Sequence, residues 1–166
     1  MQKHWVACAV LALAAGTAHA AADQNPWAAM FPEGLQDVNG NPVDPATLKG
    51  KMVGLYFSAH WCPPCRAFTP KLVEFRNANA AGFEIVFVSS DKSPADQKKY
   101  MTETKMQWPT IKLNGDTSKK LKQEHGIRGI PSLIILGPDG NVVTKDGRGD
   151  VMSNPSGALA KWSQKK

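Results

Sequence analysis

Two almost unbroken apolar runs organise this chain, Met52-Val53-Gly54-Leu55-Tyr56-Phe57 and Phe83-Glu84-Ile85-Val86-Phe87-Val88. Runs of this kind, without polar alternation, are expected of strands covered on both faces. Between them the period changes. Phe68, Leu72 and Phe75 fall at i, i+4 and i+7, which predicts a helix from Cys62 to about Asn77 with one apolar face. Pro70 lies inside it and is expected to kink it by removing a backbone hydrogen bond. Ser93-Pro94-Ala95-Asp96 has the form of a helix start, with Ser as N-cap and Pro at the first helical position. Thr117–His125 reads as a short helix closed by Gly126. Leu133–Leu136 and Asn141–Thr144 read as strands joined by the turn Gly137-Pro138-Asp139-Gly140. Asn154-Pro155 is expected to cap a last helix carrying Leu159 and Trp162. Nearer the start, Leu35 to Val43 reads as a small hairpin, with Asn39-Gly40 suited to a type I′ turn. The order β-α-β-α-(α)-β-β-α predicts an α/β fold: a central mixed sheet with parallel crossovers and a C-terminal antiparallel hairpin.

The amino-terminal end follows another pattern. Residues 1–20 combine Lys3, an apolar run from Trp5 to Ala15, and Ala18-His19-Ala20. That is the order of a secretory signal, and cleavage after Ala20 is expected. The run is shorter than the roughly 20 apolar residues a membrane-spanning helix needs, so no stable membrane anchor is expected. Cys8 sits too early in it to serve as a lipid acceptor. Residues 21–32, small, polar and Pro-containing, read as a lead, and the folded domain as residues 33–166.

Composition narrows the function classes. The mature chain is of ordinary single-domain size, and a hydrophobic content of 42% suffices for a core without staples. The formal charge of +6 comes from scattered residues, with local groups at Lys119, Lys120, Lys122 and at Lys161, Lys165, Lys166. Without convergence on one face or aromatic support, these read as solvated surface, and no nucleic-acid partner is expected.

Of three cysteines, only Cys62 and Cys65 remain after cleavage. A single close pair is not the framework of a disulfide-stapled scaffold. Cys62-Pro63-Pro64-Cys65 follows a strand and opens a helix, which marks the pair as a redox motif. A helix N-terminus, with its free N–H groups and positive dipole end, favours a thiolate. Cys62 is therefore expected to be exposed and of lowered pKa, and Cys65, about one turn further on, to be shielded. A zinc site would need two more ligands, and His60 and His125 do not supply them at suitable spacing, so no metal is expected. Trp61 either contacts substrate beside the thiolate or caps the core. His60, if protonated, would stabilise the Cys62 thiolate; otherwise it is a loop histidine. Trp108-Pro109 reads as a loop flanking the site or as buried structure, and Met101 and Met106 as core filling. Pro131, before Leu133–Leu136, belongs at the start of a strand, with the Ile130-Pro131 bond either trans or cis.

The run Tyr56-Phe57-Ser58-Ala59-His60-Trp61-Cys62-Pro63-Pro64-Cys65-Arg66-Ala67-Phe68-Thr69-Pro70 resembles the thioredoxin superfamily, and within it the tryparedoxin and nucleoredoxin branch. Gly126-Ile127-Arg128-Gly129-Ile130-Pro131 and Gly137-Pro138-Asp139-Gly140, with Asp146-Gly147-Arg148 beyond, resemble it too. The resemblance covers about residues 33–165. It implies a thioredoxin-like three-layer sandwich, with Cys62 attacking, Cys65 resolving and Pro131 the cis proline beside them. Cytosolic thioredoxins carry a buried acid, thought to help deprotonate the second cysteine, where this chain has Tyr56, as tryparedoxins do. The signal departs from the cytosolic and nuclear members of the branch.

Together these features predict an exported thiol-disulfide oxidoreductase, periplasmic or secreted, acting as a monomer on disulfide-containing client proteins. No dissociable cofactor is expected, only the Cys62–Cys65 couple, recharged by a membrane-relayed thiol electron donor. Pro63 and Pro64 lack N–H groups that would otherwise stabilise the Cys62 sulfur, which favours a reductase with a potential of roughly −180 to −270 mV. The alternatives are a disulfide-introducing oxidant on the same fold and a binding module with idle cysteines.

Overall fold

Strands β3 (Met52–Ser58) and β4 (Phe83–Ser89) are buried at every position and pair in parallel, from Met52 with Phe83 to Ser58 with Ser89. The computed structural model describes residues 25–165. The signal segment, its cleavage site and Cys8 lie outside the described residues. On the other side of β3 runs β5 (Ser132–Leu136), antiparallel, and beyond it β6 (Val142–Thr144), also antiparallel, so the sheet order is β4-β3-β5-β6. This is the mixed sheet with a late hairpin that the apolar pattern implies.

The period-2 alternation of a strand divides the core. Met52 and Tyr56 face one layer, formed by α2 (Pro63–Ala78), α3 (Pro94–Glu103), α5 (Gly147–Ser153) and α6 (Ala158–Ser163), through Phe68, Leu72, Phe75, Tyr100, Met101, Val151 and Trp162. Val53, Leu55 and Phe57 face the other layer, formed by α1 (Pro26–Met30) and α4 (Asp116–Glu124), through Trp27 and Leu121 together with Phe31 and Leu48. The result is a three-layer α/β/α sandwich. The apolar face read from Phe68, Leu72 and Phe75 is buried, and α2 continues past Pro70 to Ala78. The start of α3 is also as read: the Ser93 hydroxyl accepts the Asp96 N–H at 3.1 Å, and Pro94 is the first helical residue. Among the described residues, no helix is long and apolar enough to cross a membrane.

Four local features differ from expectation. The lead over 21–32 is structured from Asn25 on: Asn25 caps α1, and Trp27 and Phe31 are 0% and 1% exposed. The hairpin of β1 (Leu35–Gln36) and β2 (Pro42–Val43) does not turn through a type I′ Asn-Gly pair. Only Gly40 has positive φ, its N–H donates to the Asp37 carbonyl, and the Asp37 N–H donates to the Asn41 carbonyl. This is the three-residue loop with a left-handed Gly at its end, held by the Asp37 carboxylate, which accepts the Asn39 and Asn41 N–H groups. The β5–β6 loop repeats the same bonds from Gly137 to Asn141. Asp146 opens an unexpected helix, α5, by accepting the Gly149 N–H. Asn154 then closes α5, so the last helix starts at Ala158 rather than directly after Asn154-Pro155.

Candidate active site

The loop Ala59-His60-Trp61-Cys62 joins β3 to α2 at the C-terminal end of the parallel strand. Cys62 is the N-cap of α2 and makes no side-chain cap hydrogen bond; Pro63 and Pro64 fill the first two helical positions. Cys62 and Cys65 are joined by a disulfide, their Cα atoms 5.2 Å apart. Cys65 is 0% exposed, as expected. Cys62, expected to be exposed, is only 4% exposed. Part of the covering comes from a distant segment: Ile130 packs on the pair together with Ala59 of the same loop, and the Ile130 carbonyl oxygen lies 3.8 Å from the Cys62 Sγ. Of the two cysteines, Cys62 is still the one that keeps some exposed surface. The Ile130-Pro131 bond is cis, and Pro131 is buried just before β5. Trp61 does not cap the core. It is 55% exposed beside Cys62, and its indole N–H donates to the Ser90 carbonyl at 3.0 Å.

Behind the disulfide, Tyr56 belongs to a closed cluster of four buried hydroxyls. Ser58 donates to the Tyr56 oxygen at 3.0 Å, Tyr56 and Thr69 are 2.8 Å apart, and the Tyr100 hydroxyl touches both Ser58 and Thr69. Thr69 also donates to the Cys65 carbonyl at 2.9 Å. With Ser58 donating to Tyr56 and Thr69 to the Cys65 carbonyl, Tyr56 is left to donate to Thr69, and the Tyr100 proton goes to either Ser58 or Thr69. Burial, with the Tyr100 hydroxyl adding to it, pushes the Tyr56 phenol well above its ordinary range, so it stays protonated at neutral pH. Tyr56 thus braces the first turn of α2 as a donor and does not act as a base. Tyr56→Phe leaves buried partners short of one hydroxyl and should lower stability by about 1–3 kcal/mol, without adding or removing a step in the pH–rate profile near neutrality. Thermal melts and the rate profile of the variant check both halves.

His60 is turned toward α3. Its Nε2 lies 2.9 Å from Glu103 Oε2, and its ring packs on Tyr100 with centroids 5.5 Å apart. The structure therefore places its imidazole on a carboxylate rather than on the Cys62 sulfur. Trp108 is buried, 2% exposed, in the core with Met101 and Met106, the second of its two readings. Among the described residues, no group of three or more His, Cys, Asp or Glu side chains could hold a metal ion. Thr69, Ser58, Tyr100 and Asp91 escaped sequence reading. Only Thr69, one turn after Cys65 on the apolar side of the helix, left a local signal.

A protein-family model described as Thioredoxin-like matches residues 50–142, which spans both cysteines and the cis proline. The chain belongs to the thioredoxin-like family. Within it, the similarities point to the tryparedoxin and nucleoredoxin branch. Nucleoredoxin of Mus musculus is 42% identical over 131 residues, covering 76% of this chain and 30% of the mouse protein. This thioredoxin-like chain thus spans between about a fifth and a third of the length of the curated relatives it matches. Tryparedoxin from Trypanosoma brucei is 35% identical with a TM-score of 0.72, covering 81% of this chain and 96% of that structure. Thioredoxin from Wuchereria bancrofti is 42% identical with a TM-score of 0.67, covering 78% and 93%. The thioredoxin-like sandwich expected from the active-site run is thereby shown, together with an oxidoreductase fold carrying a candidate redox pair.

Proposed function

We propose that this chain is an exported, monomeric thiol-disulfide oxidoreductase that reduces disulfides in client proteins outside the cytoplasm. One observation carries the reading: a Cys62–Cys65 disulfide at the start of α2 in which only Cys62 retains surface, beside an exposed Trp61. In the reduced protein the Cys62 thiolate attacks one sulfur of a client disulfide and expels the other as a thiolate, forming a mixed disulfide. The Cys65 sulfur, as thiolate, then attacks Cys62 Sγ and expels the second client sulfur. The client gains two electrons, and the chain is left with its intramolecular disulfide. A dithiol donor reverses that last state, and for an exported protein a membrane-relayed donor fits. Export rests on residues 1–20. The reductase direction is supported by the two prolines at the head of α2, which bring no N–H to the Cys62 sulfur.

The test is insulin reduction with dithiothreitol as donor, followed by equilibration against glutathione. Turnover is expected, with a potential of roughly −180 to −270 mV. A folded protein without turnover would favour a binding module, and a potential near the −120 mV of strong oxidants would reverse the direction of electron flow.

A further inference from the structure

Asp91 is a carboxylate 4% exposed at the mouth of β4, and the exchange cycle above does not use it. A buried charge is tolerated when its oxygens are hydrogen-bonded, and both oxygens of Asp91 are. Oδ1 accepts the backbone N–H of His60 at 2.7 Å, and Oδ2 accepts the Ser89 hydroxyl at 2.8 Å. The Asp91 N–H returns to Ser89 Oγ at 2.9 Å, and Lys122 Nζ donates to the Ser89 carbonyl at 3.2 Å. The same turn holds the redox loop at one further point and the end of β3 at another: the Ser90 carbonyl accepts the Trp61 indole N–H, and the Ser90 N–H donates to the Ser58 carbonyl at 2.8 Å. Ser58, His60 and Trp61 are three of the four residues before Cys62. The loop's own closing bond, from Cys62 N–H to the Ala59 carbonyl, is long at 3.3 Å. The attacking cysteine is therefore located from β4, and the charge-assisted bond from Asp91 is the strongest of these ties.

We propose that Asp91 is a positioning residue for the attacking sulfur: its carboxylate fixes the His60 amide and, through it, the turn that presents Cys62. This rests on the oxidoreductase reading and adds to it a residue that contacts neither client nor cysteine. The alternative role for a carboxylate near a thiolate is electrostatic, and its sign is opposite. Removing a negative charge would favour the thiolate and speed attack, whereas removing a positioning acceptor slows it.

Asp91→Ala and Asp91→Asn separate the two, since Asn keeps an acceptor oxygen and loses the charge. Asp91→Ala is expected to slow insulin reduction about tenfold, in keeping with the sensitivity of bond-forming steps to small displacements. Its glutathione equilibrium should also move about tenfold, with Asp91→Asn within about threefold of the parent in both. Circular dichroism melts confirm that the compared proteins are folded at the assay temperature. A folded Asp91→Ala protein with parental rate and equilibrium overturns the proposal, as do two equally impaired variants or a faster Asp91→Ala. A purely structural role would lower the melting temperature and leave the equilibrium of the folded protein unmoved. If Asp91→Ala does not fold, Ser89→Ala replaces it. That variant frees Oδ2 from its hydroxyl donor and should slow reduction about threefold; parental behaviour would again overturn the proposal. If the parent itself does not reduce insulin, the proposed function fails, while its glutathione equilibrium still decides the role of Asp91.

Discussion

Cys65→Ser should turn the protein into a trap that accumulates mixed disulfides with its clients, whereas Cys62→Ser should abolish turnover and trap nothing. The asymmetry follows from burial. Cys62 holds the little surface the cysteine pair offers, and Cys65 is sealed behind it against the hydroxyl cluster. In the first variant the initial attack proceeds, but the second thiolate is missing, so the client stays attached until an outside thiol releases it. In the second variant the chain lacks the accessible sulfur. Non-reducing electrophoresis of variants incubated with oxidised insulin, then treated with dithiothreitol, reads both outcomes. Adducts on Cys62→Ser, or faster iodoacetamide labelling of Cys65 than of Cys62 in the reduced parent, would exchange the two roles.

Trp162→Ala should cost about 3–5 kcal/mol, a large part of the 5–15 kcal/mol typical of a domain. Trp162 is 1% exposed and stacks edge-on against Phe75, centroids 5.5 Å apart, and near Phe83 at 5.6 Å. Losing it opens a cavity between α2, β4 and α6 that these rings cannot refill. Its indole N–H also donates to Asp150 Oδ2 at 2.8 Å. Burial alone would raise the Asp150 pKa, but the hydrogen bonds from Lys161 and Trp162 outweigh it and hold the carboxyl below the ordinary value of 3.8. A carboxyl lowered on folding contributes stability that is present above its unfolded value and lost as pH falls through its folded one. The variant should therefore unfold at lower urea at pH 7 and lose less further stability between pH 4 and pH 2 than the parent. Equal urea midpoints at pH 7 would contradict the packing argument.

The parts legible in the sequence were those with a local physical signature. β3 and β4 announce themselves because strands covered on both faces need no polar positions, and Cys62 to Cys65 because two sulfurs one turn apart at a helix start have few other uses. What stayed hidden depends on partners far along the chain. In and just after α1, Trp27 and Phe31 look like stray aromatics in a polar lead until the Val53, Leu55 and Phe57 face of β3 is there to receive them. α5 is masked by Gly147 and Gly149, poor helix formers. Gly147 is required by space: a Cβ there would lie 2.9 Å from the Leu133 carbonyl oxygen and 2.7 Å from Ile135. The near coverage of Cys62 comes from Ile130, and the ties of its loop come from Ser90 and Asp91. Tyr56 could be seen to replace an acid, but not to sit in a ring of hydroxyls completed by Tyr100.

The direction of β5 divides the molecule into two poles with different freedoms. Because β5 runs antiparallel to β3, its first residues lie beside the last residues of β3, with Ser132 opposite Phe57, and its last residues lie beside the first of β3, with Leu136 opposite Val53. Ile130, Cys62 and the turn at Asp91 thus share one pole. The opposite pole holds the turns before β3, between α2 and β4, and between β5 and β6, none of which touches a sulfur. Chain length there can vary, and fusions can be joined there, without moving an atom of the redox centre. At the cysteine pole three separate loops set one sulfur's position, so a change of length in any of them is felt by all.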